Sequence, residues 1–276
     1  MKKVLLLATI SQFALIVGGS ANAADIPVKA PRAAPVPAYS WTGCYVGAHV
    51  GYGWGRAEVT ESNWSVGPGG SANLTSTLES DGAIYGGQVG CNYQFESGGL
   101  ANKWVVGIQG DFAGTSIRGS VGDPFNSYFA TTGGPIGTLG MKTNWLASIT
   151  GRLGATGWNN RALFYVKGGV AWAQNEWDVS ASGYCAFYLD PYGGCINSGL
   201  RDRRTGGTAG AGIEWVISPM APNWTALVEY NYYRFNGSGP ARLVGVTFTD
   251  PRNAITPGNF DIQTIKVAVN YKLYRP

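Results

Sequence analysis

The chain has 276 residues, of which 42 are glycine, 13% are charged and 13% are aromatic, with a formal net charge of +4. Few charges and many aromatics exclude intrinsic disorder, and glycine without a strict three-residue period excludes collagen. No apolar run beyond the N-terminus reaches the roughly 18 residues of a membrane helix, which excludes a polytopic helical membrane protein. What remains is a mostly β protein.

Residues 1–23 predict a secretory signal peptide. Lys2 and Lys3 form a basic start, residues 4–17 are mostly apolar, and Ala21-Asn22-Ala23 offers the small residues that a signal peptidase reads. The alternative is a membrane anchor, for which the apolar stretch is short. Loss of both lysines lowers the net charge by two. The weak charge and the export together argue against nucleic acid as a partner.

Residues 24–40 predict a tail in the periplasm. The segment contains Pro27, Pro31, Pro35 and Pro37 among small residues, a composition typical of an extended polyproline-like chain. The folded domain is therefore expected over residues 41–276.

From Trp41 onward, eight segments alternate between two kinds of residue. One segment has Trp104, Val106, Ile108, Gly110 and Phe112 on one face and small or polar residues between them. The same five-residue frame fits segments that begin at Cys44, Tyr85, Trp145, Phe164, Gly207, Trp224 and Ile265. No charge occurs on the apolar face, and the other face carries nearly every charge of these segments. A period of two with unlike faces predicts eight β-strands.

Aromatic residues mark both ends of the apolar face. They lie eight residues apart, which corresponds to roughly 20 Å along the membrane normal for tilted strands and matches the apolar band of an outer-membrane barrel. The predicted aromatic girdle consists of Tyr52, Tyr85, Tyr93, Trp104, Phe112, Trp145, Phe164, Trp172, Trp215, Trp224, Tyr232 and Tyr271. Core packing in a soluble β-sandwich is the alternative, and placement in two belts favours the membrane.

The connections between the segments alternate in length. Residues 56–81, 115–142, 175–204 and 236–261 predict four long loops, and residues 96–103, 156–161 and 217–223 predict three short turns. Bacterial outer-membrane barrels have long extracellular loops and short periplasmic turns. The sequence therefore predicts an all-β fold, an eight-stranded antiparallel up-and-down transmembrane β-barrel, with both termini in the periplasm.

Several short motifs resemble the alphaproteobacterial outer-membrane immunogenic protein family, which consists of small porin-like barrels of the OmpA type. The matching motifs are Ala24-Asp25-Ile26-Pro27, Ser40-Trp41-Thr42-Gly43-Cys44-Tyr45-Val46-Gly47, Gly51-Tyr52-Gly53-Trp54-Gly55, Gly90-Cys91-Asn92-Tyr93, Gly151-Arg152-Leu153-Gly154, Glu229-Tyr230 and Asn270-Tyr271. The resemblance covers the strands and both ends of the chain. It implies a surface antigen of a Gram-negative outer membrane with structural or transport roles. The chain departs from the family pattern by ending on Arg275-Pro276 rather than on an aromatic residue that the barrel-assembly machinery reads.

The alternation places six charged residues of both signs in the lumen. An eight-stranded barrel leaves an interior just wide enough for its own side chains, and buried charges require partners. We therefore predict a charge network that plugs the lumen. Its members are Asp111, Arg152, Lys167, Glu214, Glu229 and Lys266. The expected function is that of a non-enzymatic surface protein, and a narrow porin for small solutes is the alternative.

The sequence offers little for catalysis or for a cofactor. Its single histidine, His49, is predicted to face the lumen, and no cysteine or histidine spacing predicts a metal site. The resemblance adds haem binding as an alternative, because some family members are described as haem-binding. Tyr184, Tyr188 and Tyr192 in the third long loop are the candidate ligands, since tyrosinate can hold haem iron. No cofactor is predicted otherwise.

The four cysteines suit an oxidising compartment. Cys185 and Cys195 lie in one long loop and are predicted to form a disulfide. Cys44 and Cys91 fall on neighbouring strands near the same end, so a cross-strand disulfide is predicted there as well; the alternative is two small apolar residues in the lipid belt. The expected partners are outer-membrane lipid, lipopolysaccharide and the barrel-assembly machinery, with a host ligand or haem as an alternative at the loops.

Overall fold

The computed structural model describes residues 39–65, 71–96, 103–122, 136–182, 197–237 and 254–273. In these ranges all regular structure is antiparallel β-strand, and no helix there is long and apolar enough to cross a membrane. The strands are β1 (Gly43–Ser65), β2 (Ser71–Glu96), β3 (Lys103–Thr115), β4 (Arg118–Gly122), β5 (Ile136–Gly157), β6 (Ala162–Ser182), β7 (Asn197–Ser218), β8 (Ala221–Phe235) and β9 (Ala254–Lys272).

The strands form one closed sheet. Its order is β1-β9-β8-β7-β6-β5-β3-β2, and β2 pairs with β1 to close the ring. Strands β3 and β4 are two parts of one stave, because both pair with β2 and with β5. Between them, Ser116 N donates to Ala83 O, and Ile117 O accepts from Thr143 N, each at 2.9 Å. The ring has eight staves, which confirms the predicted eight-stranded antiparallel barrel.

The two faces of the central barrel have opposite polarity. Val50, Ile108 and Val267 point outward and are 59%, 58% and 51% exposed, whereas Gln109 and Lys266 point inward and are 0% and 2% exposed. A soluble barrel would have the reverse arrangement. The apolar face of the eight-segment frame is therefore the outer surface, as predicted for a barrel whose solvent is lipid.

The strands are much longer than a membrane requires. A transmembrane strand needs about 9–11 residues, whereas β1 has 23 and β2 has 26. Strands β1 and β2 stay paired as far as Ser65 with Ser71, and β6 and β7 as far as Ser180 with Asn197. The prediction of long loops over residues 56–81, 115–142, 175–204 and 236–261 is wrong wherever these strands enter those ranges. The remaining parts of these loops lie outside the described residues.

An inversion of the alternation explains this error. In the outer part of β1, Arg56 and Glu58 point outward and are exposed, whereas Ala57 and Val59 point inward and are 1% and 0% exposed. A strand that leaves lipid and enters water exchanges its faces, because the interior then becomes the apolar side. The frame with apolar residues outside therefore ends at this height, although the strand continues.

The opposite end of the barrel has short connections. β5 and β6 are joined by Trp158, Asn159 and Asn160 with left-handed φ values of 48°, 55° and 64°, followed by Arg161. β7 and β8 are joined between Ser218 and Ala221. Two of the predicted short turns are thus present, and the connection over residues 97–102 lies outside the described residues. We call this end the turn end and the other the extended end.

Candidate functional site: the barrel lumen

Inward side chains from all eight staves fill the lumen in three layers. Period-two alternation sends every second residue inward, so the staves converge on one narrow interior. The central layer, here called the polar layer, contains the charged residues predicted from the sequence, and each of its members is at most 9% exposed. It consists of His49, Gln88, Gln109, Asp111, Arg152, Lys167, Glu214, Glu229, Asn231, Lys266 and Asn270.

Arg152 and Glu214 form one half of the charge network. Arg152 Nη2 donates to Glu214 Oε2 at 2.9 Å, and Nη1 donates to the hydroxyl of Tyr45 at 2.5 Å. The second carboxylate oxygen of Glu214 accepts from Thr225 Oγ1 at 2.6 Å and from Asn270 Nδ2 at 2.9 Å. Both oxygens of this buried carboxylate are therefore hydrogen-bonded, as a charge removed from water requires.

Glu229 is the centre of the other half. Its Oε1 lies 2.8 Å from Lys167 Nζ and 3.1 Å from Lys266 Nζ, and its Oε2 accepts from the Tyr165 hydroxyl at 2.7 Å. Lys266 also pairs with Asp111. The structure thus brings all six predicted network residues into ion pairs across the lumen.

Two tyrosines that contact the polar layer escaped the sequence reasoning. The Tyr45 hydroxyl donates to Gln109 Oε1 at 2.8 Å, and the Arg152 guanidinium lies 3.8 Å above the centre of the Tyr165 ring. Both tyrosines stand on the polar frame of their strands, in phase with His49 and Lys167. That phase is the signal that identifies them, because an aromatic residue on the lumen face belongs to the interior rather than to the girdle.

His49 lies inside the polar layer. Its side chain is 0% exposed, and its Nε2 is 3.4 Å from Asp111 Oδ2. The imidazole is therefore buried among the lumen side chains. The position agrees with the lumen-facing histidine that the alternation predicts.

An apolar layer fills the lumen at the extended end. Trp177 and Phe235 are 0% exposed, and Phe235 stacks on Phe260 with ring centres 4.5 Å apart. The layer consists of Ala57, Val59, Leu78, Ile84, Ile117, Leu139, Met141, Leu146, Ala171, Ala173, Trp177, Tyr233, Phe235, Phe260 and Ile262. It is an ordinary packed core, enclosed by the barrel wall at the height of the girdle and beyond it.

A short segment before β1 closes the turn end. Residues 39–42, here called the Trp41 cap, lie across the mouth of the barrel, and Trp41 is 3% exposed. Trp41 N donates to Gln94 Oε1 at 2.8 Å, and its indole Nε1 donates to Asn160 O at 3.1 Å. The Tyr39 ring meets the Trp41 ring edge-on at 4.9 Å. The cap is therefore fixed by hydrogen bonds and by packing.

Little space remains between the cap and the polar layer. A cavity of about 10 Å³ lies there, bordered by Trp41, Tyr45 and Glu214. That volume is at the lower limit for a single water molecule. The three layers therefore leave little open space in the described part of the lumen.

The predicted girdle residues occupy the outer surface. Tyr93, Tyr85 and Phe112 are 61%, 58% and 57% exposed. None of the twelve girdle residues is buried, and Trp224 packs against Tyr271 at 5.0 Å between ring centres.

Cys44 and Cys91 form a disulfide between β1 and β2, where they are directly paired in the register. Both point outward near the turn end. Cys185, Cys195 and the haem candidates Tyr184, Tyr188 and Tyr192 lie outside the described residues.

Removing the second cysteine pair isolates the first. In a Cys185→Ser/Cys195→Ser variant, denatured without reductant, we expect no free thiol by thiol titration, because Cys44 and Cys91 are bonded to each other. Two free thiols in that variant would contradict the cross-strand disulfide. Further replacement of Cys44 and Cys91 by Ser is expected to lower the free energy of unfolding by about 2–4 kcal/mol.

Comparisons with known proteins give a consistent result. A family profile described as "Outer membrane protein beta-barrel domain" matches residues 11–272. The 31 kDa outer-membrane immunogenic protein of Brucella melitensis is 30% identical, over 99% of this chain and 100% of its own length. The 25 kDa outer-membrane immunogenic protein of Brucella abortus is 28% identical, over 96% of this chain and 97% of its own length.

Two solved structures match this chain at low sequence identity. Ail, the attachment invasion locus protein of Yersinia pestis, is 14% identical with a TM-score of 0.31, over 83% of this chain and 99% of its own. The outer-membrane protease OmpT of Escherichia coli is 10% identical with a TM-score of 0.42, over 86% of this chain and 99% of its own.

Proposed function

Because this chain belongs to the alphaproteobacterial family of outer-membrane immunogenic β-barrel proteins, we propose that it is a non-enzymatic surface protein whose lumen is closed. It resides in the outer membrane and anchors the extended hairpins there. Its role is to display these hairpins and to contribute to the envelope, and its lumen does not conduct solutes.

The observation that supports this proposal is the three-layer filling of the lumen. Gln109 and Glu229 at the centre are 0% exposed, so the packed side chains around them exclude water. A porin of the general type has a polar, water-filled interior instead. The ion pairs of the polar layer also resist opening, because separating buried charges costs several kcal/mol per ion.

The same filling supports the absence of catalysis. A general base must come within hydrogen-bond reach of its substrate, and the His49 side chain is fully buried inside the polar layer. The chemistry of this protein with other molecules therefore takes place on its outer surface and at its extended end.

We place the extended end outside the cell and the turn end in the periplasm. Outward-facing charges such as Arg56 and Glu79 lie beyond the aromatic girdle on the extended hairpins and require water. Long extracellular extensions and short periplasmic turns are the usual arrangement of bacterial outer-membrane barrels. This orientation puts the Trp41 cap and the disulfide at the periplasmic side.

Planar-bilayer recording tests the closed lumen. Pure folded protein is expected to produce no stable conductance, because the three layers lie in series. A Trp41→Ala variant is expected to remain silent as well, since the polar and apolar layers still close the interior. A large general porin reconstituted in the same way provides the positive control.

Stable conductance steps in the nanosiemens range from the unmodified protein would contradict this proposal and would favour the porin function. Conductance that appears only in Trp41→Ala would show that the cap alone closes the lumen.

A further inference from the structure

The outward face of β7 carries both basic residues and a run of very small residues. From the extended end downward, its outward residues are Arg201, Arg203, Thr205, Gly207, Ala209 and Ala211, all of them exposed. Two arginines therefore stand above a run of very small residues. Arg118 of β4 and Lys142 of β5 add to the bases, and Gly151 of β5 and Gly168 of β6 add to the small residues.

The arginines belong to a basic patch that crosses four strands. In the register, Arg118 pairs with Lys142, Lys142 with Glu176, and Glu176 with Arg201. Neighbouring strands lie about 4.8 Å apart, so this row spans roughly 15 Å. The basic arc, as we call it, consists of Arg118, Lys142, Arg201 and Arg203.

The basic arc keeps an excess of positive charge. Glu176 accepts from Arg201 Nε at 3.3 Å, and the hydrogen bond from Asn144 together with Arg201 lowers the pKa of Glu176 from its ordinary value. Glu176 is therefore ionised and offsets one base. Asp178, also on the outward face of β6, offsets a second, and Asp81 of β2, which pairs with Arg118 in the register, offsets a third. Four bases therefore face three acids in this part of the described surface.

The opposite side of the barrel has no such excess. There Glu79 pairs in the register with Arg56, Arg56 with Asp261, and Asp261 with Arg234, so that signs alternate across β2, β1, β9 and β8. Arg56 Nε lies 3.1 Å from Glu79 Oε1. The nearby outward acid Glu58 makes this side acidic, with two bases against three acids.

The basic arc lies at the height of lipid headgroups. Trp172 of the girdle pairs with Thr205, and Arg203 and Arg201 are the next two outward positions of β7. Each outward step along a strand is roughly 7 Å. Since the aromatic girdle lies at the membrane interface, residues one and two steps beyond it face the headgroup layer.

Below the basic arc, small residues interrupt the larger side chains on the outward face of β5–β7. Small outward residues form a furrow, as we call it, consisting of Gly151, Gly168, Gly207, Ala209 and Ala211. A methyl group placed on Gly151, Gly168 or Gly207 would approach no other atom closer than 3.6 Å. Ile149 and Val170 border the furrow and are 51% and 45% exposed. On the opposite side, Ala48, Val50, Ala226 and Val267 line a separate apolar groove.

We propose that the outward face of β5–β7, with Arg118 of β4, is a binding site for a phosphorylated glycolipid of the outer leaflet, of the lipid A type. Its phosphates bind the basic arc, because guanidinium groups match phosphate geometry. Its acyl chains pack in the furrow, where small side chains let them lie close to the wall. A disaccharide with a phosphate at each end suits a row of this width.

The proposal rests on the proposed orientation, because only the outer leaflet presents this lipid. A direct test measures binding of fluorescent bisphosphorylated lipid A to folded barrel in zwitterionic detergent. We expect about a tenfold weaker affinity when Arg118, Lys142, Arg201 and Arg203 are all replaced by Gln. Higher salt is expected to weaken binding to the unmodified protein, since the contacts are ionic.

Matched variants separate the two halves of the site. Arg56→Gln on the opposite side and Ala48→Leu on β1 are expected to bind lipid A like the unmodified protein. Ala209→Leu/Ala211→Leu fills the furrow and is expected to weaken binding of both lipid A and its dephosphorylated form. The basic-arc variant is expected to lose the preference for phosphate and to keep its binding of the dephosphorylated form.

Three outcomes would overturn the site: equal binding by the basic-arc variant, an equal loss in the opposite-side control, or equal affinity for phosphatidylglycerol and lipid A. A variant carrying only Lys142→Gln and Arg203→Gln serves if the fourfold variant does not migrate as a folded barrel on unheated gels. Bilayer conductance, measured on the same preparations, reports separately on the closed lumen.

Discussion

Replacing Glu229 by Gln is expected to lower the free energy of unfolding by about 3–5 kcal/mol. Glu229 is fully buried and pairs with two ammonium groups, Lys167 at 2.8 Å and Lys266 at 3.1 Å. A neutral amide leaves an excess positive charge in a lumen that water does not reach. The loss therefore reflects uncompensated burial of charge more than the lost hydrogen bonds.

Urea unfolding in lipid vesicles, followed by the gel shift between folded and unfolded forms, measures this loss. Glu79→Gln is the matched control, because it removes the same charge from an ion pair in which Arg56 and Glu79 side chains are 70% and 74% exposed. We expect that control to change the free energy of unfolding by less than about 1 kcal/mol. Similar losses for both variants would show that the lumen is hydrated.

The Phe235→Ala substitution is expected to cost about 3–5 kcal/mol, as do large-to-small changes in packed soluble cores. Phe235 is 0% exposed in the apolar layer, and its ring lies against Phe260. If residues 236–261 and the other predicted loops were unstructured, removing the Phe235 side chain beside them would leave the free energy of unfolding unchanged. The apolar layer instead makes the extended hairpins part of the folded barrel.

Arg234→Ala is the control for this substitution, since Arg234 is the exposed neighbour on the same strand. We expect it to change stability by no more than about 0.5 kcal/mol. The same urea titration compares the two variants. A small effect of Phe235→Ala would mean that the extended end opens before the membrane part and contributes nothing to global stability.

The membrane part of the fold is largely determined by local sequence pattern. Strands such as β3 alternate strictly, so Ile108 and Gln109 are assigned to opposite faces from the sequence alone, and the structure has them 58% and 0% exposed. The sequence pattern predicts these faces because the lipid-facing side of a strand carries no charge and the lumen-facing side carries only charges that are paired.

The local sequence pattern does not determine which charged residues pair with each other. Arg152 on β5 pairs with Glu214 on β7, across a separation of 62 residues, and Lys266 on β9 reaches Asp111 on β3. Alternation identifies which residues enter the lumen but carries no information on their relative heights. The stagger between strands sets those heights, and it is a property of the closed ring.

The sequence by itself determined the eight alternating segments, the outward girdle and the set of charges inside the barrel. Only the tertiary structure decided where the strands end, how Trp41 closes one mouth and why Phe235 and Trp177 lie inside the other. The physical reason is that the meaning of alternation depends on the surrounding solvent. In lipid the apolar face points out, in water it points in, and the height at which a strand passes from one to the other is fixed by the assembled barrel.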